Sequence, residues 1–484
     1  MSKVYKNSTE LMQLHGKPIY MADMVDACLL GRLNLFLQGD TGSGKTQLAA
    51  DAMSDFGHEV GDGKFAKDVQ EKYSDRLGNG TNLAIGASGK FPEDNTLFVL
   101  GRNDMDVREL FSRINLGRLN QKPSYNLEPL VNSDTGEVEF YYHAFDSGKG
   151  IFVPKKLARE QADVVRKGLE KLAGTTEDIK ELTSKINTHL VVVDEMPNCV
   201  PAVRAQLFNL FDGYIEINGK KYDIGRGYSV GIATGNIGQK FTESSNELGR
   251  ALKDRMHVTI DTDYYRPTPL DTLEILAGNT CPRVEFAQGE NKQDGIIKQA
   301  EELKAKGIPF DKLVIANYLL HGLDYCTVGG QEASKTRLKD SWPNKVDNNQ
   351  QGSDEALVLP VSVRAAKSII RLSQALDSIA QRKGGVIDPE WGSFDSMTQA
   401  YKFVSAYSGV LNEASVQENY NGNRYAAMNA VIEATRGEFE RQADYIAAGT
   451  QMAKDGKKNA KVLDNFIGRW RFIRDTLEGL VGGK

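Results

Sequence analysis

The sequence predicts an α/β protein built on a parallel sheet with helices on both faces and helical segments beyond it, and three observations carry that expectation. A short apolar strand, Leu33 to Leu37, runs into a glycine-rich turn and then into a helix beginning at Gln47 to Met53. The run Leu190-Val191-Val192-Val193 reads as a strand buried on both faces, as strands of parallel sheets are. Further apolar stretches near Leu97, Val230 and His257 supply the remaining strands.

Between the first strand and its helix lies Gly39-Asp40-Thr41-Gly42-Ser43-Gly44-Lys45-Thr46, a full match to GxxxxGK[ST]. Glycines let backbone N–H groups curl around phosphates, and the helix N-terminus adds partial positive charge. In that pattern Lys45 reaches the β- and γ-phosphates and the Thr46 hydroxyl ligates Mg²⁺, so ATP and Mg²⁺ are the expected ligands.

The valine strand ends in two adjacent carboxylates, Asp194 and Glu195, with Pro197 just beyond. Paired acids at the tip of an apolar strand repel each other unless a cation or proton chemistry involves them. Beside a phosphate loop, Asp194 fits the Mg²⁺-holding acid and Glu195 a general base for the attacking water. A kinase or small GTPase needs no second acid, so the pair points to an ATP hydrolase.

Two hairpins are expected. Tyr214 to Ile224 alternates apolar and polar residues around Asn218-Gly219, a strong turn signal. Ser133 to Pro154 is the second, followed by a charged amphipathic helix within Lys155 to Lys185. The strand Val230 to Ala233 closes with Thr234-Gly235-Asn236. Asn236 either caps that turn or orients a water against the terminal phosphate.

Composition sets the outer frame. At 484 residues the chain is too long for one core and should divide into two or three domains. With 40% apolar and 26% charged residues it reads as an ordinary soluble globular protein. A net charge of −5 argues against a dedicated nucleic-acid binder, although a local basic face stays open. Cys28, Cys199, Cys281 and Cys326 form no CxxC pair and no metal-ligand spacing, which favours a reducing, cytoplasmic setting. The opening MSKVYKNSTELMQLHG lacks the order of a signal peptide, and no apolar run suits a bilayer span, so no membrane partner is expected.

The succession of phosphate loop, hairpin, VVVDE, QLFNLFDG, IEINGKKYDIG and GIATGN resembles MoxR-type AAA+ ATPases of the helix-2-insert group. ELGRALKDRMHVTIDTDYYRPTPLDTLEIL resembles the passage into that family's lid, and PVSVRAAKSIIRLSQAL its second sensor helix. The resemblance covers roughly residues 15 to 410. It implies an AAA+ core with a helical lid, divided as 1–264 for the α/β domain (133–185 inserted) and 265–414 for the lid. The stripes Met428, Val431, Ile432, Phe439 and Phe466, Trp470, Ile473 indicate a further helical extension over 415–484.

By the same resemblance Asn236 is the first sensor, Arg364 the second, and Arg255 the arginine finger, with Arg250 as its alternative. A finger supplied to a neighbour implies a homo-oligomeric ring, a hexamer. Family members remodel a client protein or complex, often with a von Willebrand A-domain protein. The chain departs from the family in its long interval between Thr46 and Val191 and in its unmatched C-terminus. A DNA-acting motor using Lys220, Lys221 and Arg226 near the second hairpin is the other motor reading, and a nucleotide-gated scaffold without turnover is the third.

Overall fold

Five strands lie side by side in one parallel sheet, and their ends set out the rest of the molecule. The computed structural model describes residues 9–56, 96–102, 106–114, 127–131, 135, 138–146, 151–158, 160–161, 180–217, 220–236, 255–277, 292–348 and 353–482. A hairpin of β1 (Glu10–Leu14) and β2 (Lys17–Tyr20) leads into α1 (Met21–Gly31). Then come β3 (Leu35–Gln38), α2 (Lys45–Ser54), β4 (Thr96–Leu100), β5 (Leu190–Asp194), α3 (Pro201–Phe211), β6 (Val230–Gly235) and β7 (Val258–Asp261).

The sheet order is β7-β3-β6-β5-β4, and each of the four pairings is parallel. Every residue of β3, β5, β6 and β7 is buried. Side chains alternate between faces along a strand, so burial at every position means that both faces are covered. Helix α2 lies against β5 and β6, and α3 also packs on β6. The expected strands near Leu33, Leu97, Leu190, Val230 and His257 are all present, and the α/β core with helical regions beyond is the fold observed.

Register decides what meets at the carboxyl edge. Gln38 stands opposite Gly235 on one side and Asp261 on the other, while Asp194 stands opposite Leu100. Open α/β sheets bind ligands at this edge.

Beyond β7 the described chain is almost entirely helical, with α4 (Val363–Arg382), α5 (Gly392–Ser405) and α6 (Arg424–Asp455) the longest elements. Ser362 caps α4 by accepting from the Ala365 N–H, and Ala366, Ile369, Ile370, Ser373 and Leu376 form its buried stripe. Asn423 caps α6 in the same way, and Gly456 in the left-handed region (φ 63°) ends it. The predicted C-terminal stripes are buried: Met428, Val431, Ile432 and Phe439 on α6, and Phe466, Trp470 and Ile473 after it. Their partners belong to the helices before them. Tyr318, Phe439 and Trp470 meet edge-to-face or tilted with centroids 5.0–5.1 Å apart, and Arg469 donates to Asp354 at 2.6 Å.

One buried cation ties the amino-terminal hairpin to these helices. Lys312 donates to Ser373 (2.9 Å), Asp377 (2.6 Å) and Ser396 (3.1 Å), and His15 meets the other oxygen of Asp377 at 2.7 Å. A buried ammonium is tolerable when paired and hydrogen-bonded in this way.

The chain divides into two compact units, one within 1–105, 187–214 and 223–484 and the other within 106–186 and 215–222. In the second, Leu127–Val131, Val138–Asp146 and Ile151–Lys156 form a three-stranded antiparallel sheet. The hairpin predicted over 133–154 is therefore real but carries a third strand on its outer side. Ser112–Ile114 pairs with Lys180–Leu182 antiparallel. Tyr214–Ile217 and Lys220–Asp223 pair as the other expected hairpin, whose Asn218-Gly219 turn lies outside the described residues. Most of the charged segment after Pro154 lies outside them too. No helix among the described residues is long and apolar enough to cross a membrane.

Candidate nucleotide-binding site

The phosphate loop leaves the carboxyl end of β3 and enters α2 at Lys45. Gly39, Gly42 and Gly44 have φ of 139°, 79° and 78°, conformations that side chains resist. At Gly39 the constraint is also one of space, since a Cβ would stand 2.3 Å from Thr262 Oγ1. The segment after β7 thus presses on the loop. Thr262 bonds Gln38 O (2.9 Å) and Ser43 Oγ (2.8 Å), and the Asp40 N–H donates to Asp263 Oδ1 at 2.9 Å.

Lys45 is buried, with Nζ donating to Gly39 O (3.1 Å), Asp40 O (2.6 Å) and Ser43 Oγ (3.1 Å). Burial lowers its pKa, against the pull of Asp263, Asp40, Asp194 and Asp261. The loop therefore concentrates one cation among carbonyls and acids that a polyphosphate can replace as its partners.

Across from it, Asp194 at the tip of β5 collects two hydroxyls. Thr46 Oγ1 donates to Asp194 Oδ1 at 2.8 Å, and Thr234 Oγ1 donates to the same oxygen at 2.5 Å. The sequence-predicted pair Thr46 and Asp194 is thus in direct contact, 148 residues apart in the chain. Hard oxygen donors of this kind suit Mg²⁺. Among the described residues no group of three His, Cys, Asp or Glu side chains is placed to hold a metal ion.

Glu195 occupies the left-handed region (φ 54°, ψ 41°), where a non-glycine residue costs roughly 1–2 kcal/mol. It begins the turn Met196–Asn198, is held by its N–H donating to Thr234 Oγ1 (3.0 Å), and accepts at Oε2 from Asn198 Nδ2 (2.8 Å). Backbone strain of this sort is tolerated where the surroundings over-determine it, and Glu195 does not cap α3, whose cap is Val200 with Pro201 next. Gly101 supplies part of the determination. Its N–H donates to Asp194 O at 2.7 Å, and a Cβ there would lie 2.6 Å from Glu195 O and 3.0 Å from Asp194 O. Gly101→Ala is expected to displace this turn, at about 1–3 kcal/mol of stability, and to depress turnover. Thermal melting and steady-state hydrolysis check it, and wild-type values in both would show the contact to be slack.

The remaining predicted residues are spread more widely. Asn236, half-buried, follows the last residue of β6 and lies on the same sheet edge as Asp194, because Val193 stands opposite Ala233. Arg255 precedes β7, at the opposite end of the sheet from Lys45. Its Nε donates to Asp212 Oδ2 (2.9 Å), its guanidinium lies 4.9 Å from the Phe208 ring centre, and its carbonyl accepts from Asn34 (3.0 Å). Arg364 is exposed in the first turn of α4. Arg250 lies outside the described residues.

Three contributors escaped sequence reasoning. Thr234 was visible as part of a polar strand end, but nothing local shows that it joins Asp194 to the Glu195 backbone. Thr262 and Asp263 stand after β7 without a motif, and only the sheet brings them to the loop.

No protein-family profile matches the sequence, and no curated protein matches it. Among solved structures, the crystal structure of a candidate ATPase from Cytophaga hutchinsonii is similar over 85% of this chain and 88% of that one, with 12% sequence identity and a TM-score of 0.45. A likeness of that degree carries no weight for the chemistry, which rests on the geometry above.

Proposed function

We propose that the chain is an ATP hydrolase of AAA+ type, resembling the MoxR group, that assembles into a ring and remodels a partner protein. The observation that carries this reading is the Thr46–Asp194–Thr234 hydrogen-bond set beside a buried Lys45. Gly39 to Thr46 would cradle the phosphates of ATP, with Lys45 transferring its hydrogen bonds from the loop carbonyls to phosphate oxygens. When bound, Mg²⁺ at Thr46 and Asp194 would neutralise phosphate charge and act as a Lewis acid. Glu195, one residue past Asp194, would take the proton of the attacking water, and Asn236 would orient that water.

Arg255 supports assembly by its position. It stands at the far end of its own sheet from Lys45, held by Asp212 at 2.9 Å, so reaching a neighbour's phosphate would require it to exchange that carboxylate for the nucleotide, and Arg250 remains the alternative in the same stretch. Arg364 takes the second-sensor role, joining the helical region to nucleotide. The hairpins of the inserted unit would face the client, for which a von Willebrand A-domain protein is the family precedent, in the cytoplasm. The DNA-motor reading is weaker, because the whole chain carries a net charge of −5 where a dedicated nucleic-acid binder usually carries a basic excess.

Mixing two inactive variants tests the ring. Glu195→Gln subunits retain Arg255, and Arg255→Ala subunits retain Glu195. An arginine finger is worth on the order of 10³–10⁵ in rate, so each variant alone should be nearly silent. Equimolar mixtures should regain a readily measured fraction of wild-type turnover. Silence in a mixture shown by sedimentation to co-assemble would refute a finger acting in trans at Arg255.

A further inference from the structure

Four groups from four parts of the chain converge on Asp261, the last residue of β7. Tyr407, just past α5, donates its hydroxyl to Asp261 Oδ2 at 2.6 Å, and Gln38 Nε2, at the end of β3, donates to the same oxygen at 3.1 Å. The Asp263 N–H donates to Oδ1 at 3.0 Å. Tyr425, in the first turn of α6, accepts from the Asp261 backbone N–H at 2.9 Å and donates to Thr259 O at 3.3 Å. Both phenols are packed in an aromatic cluster: the Tyr425 ring lies 5.4–5.8 Å from those of Tyr264, Tyr265, Phe403 and Tyr407. Burial and the nearby Asp261 carboxylate push both phenol pKa values up, so the hydroxyls keep their protons and remain donors.

Asp261 is two bonds removed from the phosphate loop. It orders Asp263, whose carboxylate holds the Asp40 N–H, and it braces Gln38, whose carbonyl holds Thr262 against Gly39. A chain of short hydrogen bonds thus runs from the start of α6 to the turn that binds phosphate. Nothing in the hydrolytic chemistry requires the two tyrosines, yet they are the only described side-chain hydroxyls bonded to Asp261 or its N–H.

We propose that Tyr407 and Tyr425 are positioning residues for the phosphate loop, clamping Asp261 so that the helical region and α6 set the loop's affinity for ATP and respond to its binding. The inference rests on the nucleotide reading of that loop. Removing the hydroxyls loosens Asp263 and Gln38 and leaves the reacting groups Glu195 and Asn236 untouched. The effect belongs in substrate affinity rather than in the chemical step.

The test compares full-length wild type, Tyr407→Phe, Tyr425→Phe and the double variant, with Lys45→Ala as the control. Expected is a KM for ATP raised about tenfold in the double variant with kcat within about twofold of wild type, a separation that simple loss of packing would not produce. Hydrogen exchange on the wild type supplies a readout that needs no variant: Mg²⁺·ATP should slow exchange at the amides of residues 425–432, and the double variant should lose that protection at saturating ATP. An unchanged KM, or no change in exchange at the start of α6 when wild type binds ATP, overturns the proposal. ATP binding by Lys45→Ala would instead signal that the nucleotide reading itself has failed.

Discussion

Lys45→Ala is expected to abolish measurable ATP binding while leaving the protein folded. The ammonium is the one cation among the described residues that the loop itself encloses, and it makes its three hydrogen bonds to groups of that loop. Hydrogen bonds to charged partners are worth about 1.5–3 kcal/mol each, so losing two of them to phosphate weakens affinity on the order of 10³-fold. The fold should not suffer in proportion. Burial already lowers the Lys45 pKa, which means that the charged form is held at a cost that alanine removes. Titration with a fluorescent ATP analogue, alongside thermal melting, separates the two effects. Wild-type affinity in a folded variant would overturn the loop assignment.

The second large effect lies at the paired acids. Glu195→Gln should bind ATP within a few-fold of wild type and lose turnover by about 10²–10⁴-fold, the usual contribution of a positioned general base. The amide matches the carboxylate in shape, can still accept from Asn198, and leaves Asp194 with both its hydroxyl partners. Melting temperature should therefore hardly move. Steady-state phosphate release against nucleotide affinity gives the answer, and equal rates in wild type and variant would favour a nucleotide-gated scaffold.

How much of this was legible beforehand follows from the range of the forces involved. The loop could be read because its glycines, lysine and threonine are contiguous, and the sheet because strands buried on both faces must be apolar throughout. The contact of Thr46 with Asp194 could be anticipated only because each carried a recognisable local pattern. Asp261, Tyr407 and Tyr425 carry none. Their hydrogen bonds join residues 146 and 164 positions apart, and a tyrosine in an apolar stretch reads equally well as packing. The same limit applied to the C-terminal stripes, where Phe439 and Trp470 were visible as an apolar surface but their partner Tyr318 was not. The third strand Leu127–Val131 escaped because its five residues, LEPLV, include a proline and lack clean alternation.

If Glu195 is the general base proposed above, holding it at φ 54° sets stability against catalysis at a single position. Glycine would sit in that bend without the roughly 1–2 kcal/mol of strain that a side chain meets in the left-handed region. A Glu195→Gly variant should accordingly melt higher than wild type while keeping the phosphate loop and the Thr46–Asp194 contact. On that reading, the strained glutamate is kept for turnover at the expense of stability.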